Sequence, residues 1–171
     1  MTEVLGLVAS ACYGVDRRLC DEIALPAAER GWRLAITLTP AAERWLAETG
    51  ELDRLAALTD LPVRSTARLP AEPRPHPDPA HFLFAPASAN STAKLALGIA
   101  DNQALTVLCE AIGAARVVVG AQLSDAQQRH PAWPGHLRTL RDAGVNVTRL
   151  AADQPWTSVL DALHTPMVGE P

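Results

Sequence analysis

The chain is almost free of lysine, since Lys94 stands alone among 15 basic side chains and the rest are scattered arginines. Acidic residues outnumber basic ones, and the formal net charge is −4 at pH 7. Proteins that bind nucleic acid or anionic membrane surfaces need concentrated cations. Aromatic residues make up only 4% of the chain and form no stacking stripe for single strands. We therefore expect no nucleic-acid partner.

Long apolar runs and paired cysteines are also missing. No segment approaches the roughly 20 apolar residues of a membrane-spanning helix, and the first residues lack the basic start of a secretory signal. Cys12, Cys20 and Cys109 form neither a disulfide framework nor a CxxC pair, and none has metal-ligand spacing to a histidine. We expect a cytoplasmic protein with free thiols, no metal site and no membrane span.

Short apolar runs alternate with stretches of helical composition along the chain, and hydrophobic residues make up 48% of it. The runs predict strands and the stretches predict helices. The predicted strands are 4–9, 33–38, 82–85, 116–121 and 145–150, and the predicted helices are 15–30, 41–48, 91–99, 102–112, 134–143 and 156–163. Such alternation is typical of right-handed βαβ units. It predicts an α/β fold that is Rossmann-like (flavodoxin-like), with three layers around a central parallel sheet.

The organisation along the chain predicts a single domain over residues 1–171. Its core is expected at about 4–150, followed by a C-terminal helix and a frayed tail at 151–171. Residues 60–79 are rich in proline and predict a loop, in which 62–65 have the pattern of a brief strand. Pro26 predicts a kink or a split in the first long helix.

Hydroxyl side chains follow three of the predicted strands, at Ser10, Thr39 and Ser88. Ligands of open α/β sheets bind at the carboxyl ends of the strands, so these hydroxyls are expected to converge. The block Pro86-Ala87-Ser88-Ala89-Asn90-Ser91 runs directly into a predicted helix. It places hydroxyls, an amide and free backbone N–H groups where an anionic or planar cofactor binds. The same residue types are also favoured helix caps, which is the structural alternative.

This block matches the Pro-Ala-Ser-Ala-Asn-Thr motif of the homo-oligomeric flavin-containing cysteine decarboxylases, with serine for the closing threonine. Lys94 and residues 98–102 continue the match, and the chain resembles this group over about residues 4–150. The group includes phosphopantothenoylcysteine decarboxylase and peptidyl-cysteine decarboxylases, and the related flavin prenyltransferases share its fold. The resemblance implies FMN as the cofactor and self-association into a trimer or a dodecamer.

The resemblance also implies how FMN would be held. Ser10 and Thr39 would bind its phosphate and ribityl end, while Ser88, Ala89 and Asn90 would lie along the isoalloxazine ring.

Asp101 belongs to the segment that continues the match, so it is a further candidate cofactor contact. Its alternative role is a structural hydrogen bond to a helix end.

The chain departs from the group where the substrate should bind. Residues 121–124 correspond to the group's Pro-x-Met-Asn motif, with Leu123 for methionine and Ser124 for asparagine. The group's active-site histidine usually precedes the strand that leads into the alanine- and serine-rich motif. His76 and His81 are the nearest candidates, and neither aligns without a gap. Ser124 is therefore a candidate substrate contact and His76 a candidate catalytic residue.

The resemblance implies an FMN-dependent enzyme that decarboxylates the C-terminal cysteine of a peptide to an enethiol during the maturation of a peptide natural product. Removal of a hydride from the Cα–Cβ–S unit gives a thioaldehyde, whose electron-withdrawing group lets the carboxylate leave as carbon dioxide. A small-molecule thiol is the other substrate class. One alternative is an FMN-binding flavoprotein without decarboxylase activity, acting as a partner subunit or a small-molecule oxidoreductase. A less favoured alternative is a flavin prenyltransferase.

Overall fold

A parallel sheet forms the centre of the protein, whose computed structural model describes residues 3–164. The strands are β1 (Val4–Ala9), β2 (Arg33–Leu38), β3 (His81–Ser88), β4 (Arg116–Gln122) and β5 (Asn146–Arg149). They form a five-stranded sheet in the order β2-β1-β3-β4-β5, and all neighbours are parallel. This is the strand order of the flavodoxin-like doubly wound fold. The predicted Rossmann-like α/β class is confirmed.

Helices cover both faces of the sheet. They are α1 (Val15–Arg18), a π-helix (Leu19–Ala24), α2 (Leu25–Glu29), α3 (Pro40–Thr49), α4 (Glu51–Ala56), α5 (Ala89–Ala96), α6 (Gln103–Ala111), α7 (Asp125–Gln128), α8 (Trp133–Asp142) and a 3-10 helix (Trp156–Leu163). One hydrophobic core lies under α1 to α4 and the 3-10 helix, on what we call the rear face. The other lies under α5, α6 and α8, on the front face.

The first predicted helix is present but changes its geometry before Pro26. The π-helix precedes α2, in which Pro26 occupies one of the first two positions. Proline has no N–H to donate to the carbonyl four residues earlier, which belongs to Glu22. That carbonyl accepts a hydrogen bond from Thr157 Oγ1 at 2.9 Å. The predicted irregularity is therefore confirmed, and it takes the form of a π-helical segment.

Strand β3 is longer than the predicted 82–85. Proline normally ends a strand because it cannot donate to the ladder. Here Pro86 lies inside β3, after a cis Ala85–Pro86 peptide bond and within an irregularity of the β3–β4 pairing between Phe84 and Ala87. Beyond this irregularity the pairing with β4 resumes at Ala87 and Ser88, so the strand continues to Ser88.

Two short helices were not predicted from the sequence: α4 and α7. The predicted loop at 60–79 is confirmed, and its predicted brief strand is reduced to a single bridge between Arg64 and Thr37 on the outer side of β2. Thr59 Oγ1 also donates to Leu34 O of this edge strand, at 2.6 Å. The expected frayed end beyond residue 164 lies outside the described residues. Between residues 3 and 164, no helix is long and apolar enough to span a bilayer.

Candidate functional site

Ser10 joins the carboxyl ends of β1 and β3. Its hydroxyl donates to Pro86 O at 3.2 Å and accepts from the backbone N–H of Ser88 at 2.7 Å. Its own N–H donates to Pro86 O at 3.0 Å, and the residue is only 1% exposed. The hydroxyl therefore shapes the turn that carries the serine- and alanine-rich block. Contact of Ser10 with a cofactor stays a prediction.

Thr39 lies at the end of β2 and begins α3. Its side chain accepts from the N–H of Ala42 at 3.3 Å, and its backbone N–H donates to Ala9 O at 3.0 Å. Pro40 follows at the first helical position, where its missing N–H costs nothing. The helix-cap interpretation is confirmed, and a phosphate contact by Thr39 stays a prediction.

Ser88 ends β3 and caps α5. Its hydroxyl accepts from the N–H of Ser91 at 3.2 Å, and its carbonyl accepts from Thr92 Oγ1 at 2.8 Å. Ala89 and Asn90 follow as the first helical residues, whose N–H groups have no partner within a helix. Ala89 is half-buried and Asn90 is exposed. This helix end offers two backbone donors, an amide and the positive end of the helix dipole.

Asp101 lies in the turn between α5 and α6. Lys94 Nζ donates to Asp101 Oδ2, and Asn102 Nδ2 donates to Asp101 Oδ1 at 3.0 Å. The hydrogen bond from Lys94 holds the pKa of Asp101 below its ordinary value. Asn102 in turn caps α6 by accepting from the N–H of Leu105 at 3.1 Å. These contacts are those of the structural alternative, and a cofactor contact by Asp101 stays a prediction.

Ser124 lies at the same edge of the sheet as Ser88. In the β3–β4 register Ser88 is opposite Gln122, so Ser124 follows two residues beyond it. Ser124 forms a capping box with Gln127: its hydroxyl accepts from the Gln127 N–H at 3.2 Å, and its own N–H donates to Gln127 Oε1 at 3.0 Å. The residue is exposed. A substrate could reach its hydroxyl.

His76 belongs to a different part of the front face. Its Nε2 lies 2.6 Å from Pro62 O, within the proline-rich loop. It lines a groove whose floor includes Gly6 and Ala35, which pair with each other in the middle of β1 and β2. None of the residues at the carboxyl edge described above lines this groove. The structure therefore does not bring His76 together with Ser10, Thr39 and Ser88.

A second groove, which the sequence analysis missed, opens beside the loop after β1. It encloses about 1000 Å³ between that loop, α3 and residues 152–155. Tyr13 and Trp45 line it and are 73% and 41% exposed, respectively. Tyr13 is the only tyrosine in the chain, and it was the feature of the sequence that could have pointed to this groove.

Cys12 also lines this second groove, and its Sγ donates to Ser10 O at 3.7 Å. Burial raises the pKa of its thiol to about 12. The protonated thiol is a poor nucleophile and a poor metal ligand. Within the described residues, no group of three or more histidine, cysteine, aspartate or glutamate side chains could hold a metal ion.

No family model and no curated protein matches the chain. Solved structures do match it. The FMN-dependent cysteine decarboxylase TvaF from thioviridamide biosynthesis is 23% identical, with a TM-score of 0.74 over 96% of this chain and 97% of that one. A PPC decarboxylase mutant complexed with pantothenoylaminoethenethiol is 16% identical, with a TM-score of 0.73 over 95% and 97% of the two chains.

AnUbiX (PadA1) in complex with FMN and dimethylallyl pyrophosphate is 15% identical, with a TM-score of 0.67 over 86% of this chain and 77% of that one. At these identities the likenesses establish a shared fold. The predicted resemblance to flavin-containing cysteine decarboxylases is confirmed at that level.

Proposed function

We propose that the chain binds FMN at the carboxyl edge of its sheet and uses it to decarboxylate a cysteine at the C terminus of a peptide. The observation that carries the proposal is the capped N-terminus of α5, where Ser88, Ala89 and Asn90 meet the ends of β1 and β3. The shared fold with FMN-dependent cysteine decarboxylases supports it.

The donor groups at this edge fit a flavin. Ala89 and Asn90 supply backbone N–H groups and an exposed amide, which suit the oxygen and nitrogen acceptors of an isoalloxazine ring. The N-terminus of α3, capped by Thr39, supplies the positive dipole end that favours a phosphate. In this proposal α3 holds the phosphate and α5 orients the ring.

Bound FMN would accept a hydride from the cysteine, after which carbon dioxide leaves and an enethiol remains. The protein would supply binding and orientation. Ser124 is the proposed contact for the substrate, because its hydroxyl is exposed at the same edge as Ser88. Self-association into a trimer or a dodecamer is part of the proposal, and light scattering of the purified protein tests it.

The first experiment is the visible spectrum of purified protein, with the released chromophore identified by mass. We expect flavin bands and FMN, and a several-fold lower flavin content in Asn90→Ala, because that variant removes the exposed amide. Asn146→Ala, at an exposed site at the start of β5, is the matched control. Colourless protein that takes up no added FMN would overturn the cofactor assignment.

The substrate is tested by incubating flavin-loaded protein with a peptide that ends in cysteine. We expect the peptide mass to fall by carbon dioxide and two hydrogen atoms, and a matched peptide ending in serine to remain unchanged.

A flavoprotein without decarboxylase activity is the second candidate. The placement of His76 in a groove over the middle of β1 and β2 favours it, because the candidate catalytic histidine then lies away from the carboxyl edge. Leu123 and Ser124, in place of methionine and asparagine, point the same way. Flavin-loaded protein that leaves both peptides unchanged would support this candidate.

A further inference from the structure

The front face of the sheet is incompletely covered over β1 and β2. Doubly wound sheets are normally covered by helices on both faces. Residues 57–80, which connect α4 to β3, contain no helix. Their proline-rich part lies opposite α6 and leaves a groove of about 780 Å³, which we call the front groove. Its volume is within the usual range of binding sites.

The floor of the front groove is apolar and made of small or flat groups. Gly6, Ala35 and Phe82 contribute to it. A Cβ on Gly6 would lie 2.4 Å from Cδ1 of Phe82, so only glycine lets the aromatic ring lie across β1 at this point. Gly6 and Ala35 are buried, so the floor presents the half-buried ring of Phe82, against which apolar side chains of a ligand can pack.

One wall of the front groove is a face of α6. Gln103, Thr106, Val107 and Glu110 line it, at the spacing that places them on one side of a helix. At a rise of 1.5 Å per residue this wall is about 10 Å long. An extended peptide covers about 3.3 Å per residue, so the wall matches roughly three residues. The shape suits a short extended segment better than a compact ion.

The other wall carries arginines. Arg64 is fixed by its backbone, which accepts from Leu38 N at 2.7 Å and donates to Ile36 O at 3.0 Å. Its Nη2 donates to Thr66 O at 3.1 Å, and Arg68 Nη1 donates to backbone carbonyls of its own loop, the shortest being Glu72 O at 2.8 Å.

Within residues 3–164 neither Arg64 nor Arg68 forms an ion pair, whereas Arg74 is paired with Asp78 at 2.6 Å. Arg64 and Arg68 thus add two guanidinium groups without a carboxylate partner to the lining of the groove, beside the Arg74–Asp78 pair and the carboxylate of Glu110. Guanidinium groups bind carboxylates in a bidentate manner.

From the apolar floor, the length of the wall and these two charges, we propose that the front groove binds a short, extended, acidic peptide segment. The carboxylates of the segment bind Arg64 and Arg68, and its apolar side chains pack on the ring of Phe82. Glu110, at the far end of the α6 wall, repels a carboxylate there and so sets the direction of the segment. This site is separate from the proposed flavin site.

The probe is a fluorescein-labelled hexapeptide of alternating glutamate and leucine, and the measurement is fluorescence anisotropy. We expect binding that weakens as salt is added, and much weaker binding of the matched lysine–leucine peptide. A double variant, Arg64→Gln with Arg68→Gln, should lose at least tenfold in affinity. Arg138→Gln, at an exposed position on α8 outside the groove, should bind as the parent protein does.

Three results would overturn the proposal: equal binding of both peptides, unchanged affinity of the double variant, or displacement of the glutamate peptide by inorganic phosphate as effectively as by unlabelled peptide. A changed subunit number of the double variant in sedimentation would also overturn it, because the groove would then be an interface between copies.

Thermal melting checks that the variants fold. Flavin content is measured on the same samples, so failure of the flavin proposal is seen separately.

Discussion

A single buried hydroxyl, that of Ser10, sets the geometry of the edge where the proposed cofactor binds. It is bonded to Pro86 and Ser88, and the hydrogen bond to Pro86 spans 76 residues of sequence. The sequence predicted that Ser10 and Ser88 converge, because both follow parallel strands. It could not predict that one hydroxyl bonds the backbone of the other segment, since that depends on how β3 passes through its irregularity at Pro86.

We predict that Ser10→Ala lowers the free energy of unfolding by about 1–3 kcal/mol, because the Ser88 N–H loses its acceptor in a partly buried site. Its flavin content should also fall, since the start of α5 would no longer be held in place. Urea denaturation and the visible spectrum measure the two effects. Ser158→Ala, which removes an exposed hydroxyl bonded to Pro155 O at 3.3 Å, is the control. An unchanged urea midpoint for Ser10→Ala would contradict the prediction.

The thiol of Cys12 should be unreactive in the folded protein. Burial raises its pKa to about 12, so almost none of it is thiolate at about pH 8. We expect iodoacetamide to modify Cys12 far more slowly in native protein than in urea, as read by mass spectrometry of its peptide. Equal rates in the two conditions would show that the thiol is exposed.

At the scale of elements, the 3-10 helix is held against the π-helix by a compact polar cluster. The Glu22 carboxylate accepts from Trp156 N at 2.7 Å and from Arg18 Nε and Nη2 at 2.8 Å each. The Arg18 guanidinium also lies 4.3 Å from the centre of the Trp156 ring. Thr157 Oγ1 donates to the carbonyl of Glu22, to which Pro26 has no N–H to donate. The sequence showed Pro26 as an irregularity, and the partner that compensates for it lies more than 130 residues away.

Glu22→Gln should lower the free energy of unfolding at neutral pH by about 1–3 kcal/mol, because it replaces a charge-assisted interaction in a partly buried site. Urea denaturation measures it, and Glu29→Gln, at an exposed position, is the control. Equal losses in the two variants would mean that the cluster contributes nothing specific.

The same cluster predicts a pH dependence. The hydrogen bond from Arg18 holds the pKa of Glu22 below its ordinary value of 4.5. A carboxylate with a lowered pKa stabilises the fold above the unfolded-state value, and this contribution is lost as pH falls through the folded-state value. Stability of the parent protein should therefore fall more steeply on acidification than that of Glu22→Gln. Parallel curves would contradict this assignment.

At the scale of the whole molecule, the alternation of apolar runs and helical stretches was enough to predict the class of fold. Strands β1 and β2 have the predicted bounds, because their residues are apolar and end at clear turn or cap residues. The front groove could not be predicted, because its shape depends on where a proline-rich loop lies over the sheet. Placing His76 required the same information, so its role as a catalytic residue stays a prediction.

If the flavin proposal holds, FMN should raise the melting temperature. Ligand at 100 times its dissociation constant adds about 2.7 kcal/mol to stability, which for a chain of this size corresponds to roughly 5–10 °C. Differential scanning fluorimetry with FMN and with riboflavin measures the effect, and riboflavin should give the smaller shift because it lacks the phosphate proposed to bind at α3. No shift with either compound would contradict binding.

The outer edge of β2 has a consequence for how copies of this protein can associate. Its outward backbone groups are already bonded at Leu34, Ile36 and Leu38, by Thr59 Oγ1 and by the backbone of Arg64. An exposed edge strand is normally a template on which another chain can extend the sheet. Here those positions are occupied from within the same chain, so this margin resists aggregation by strand addition. Ordered assembly would have to use helices, loops or the partly covered front face instead.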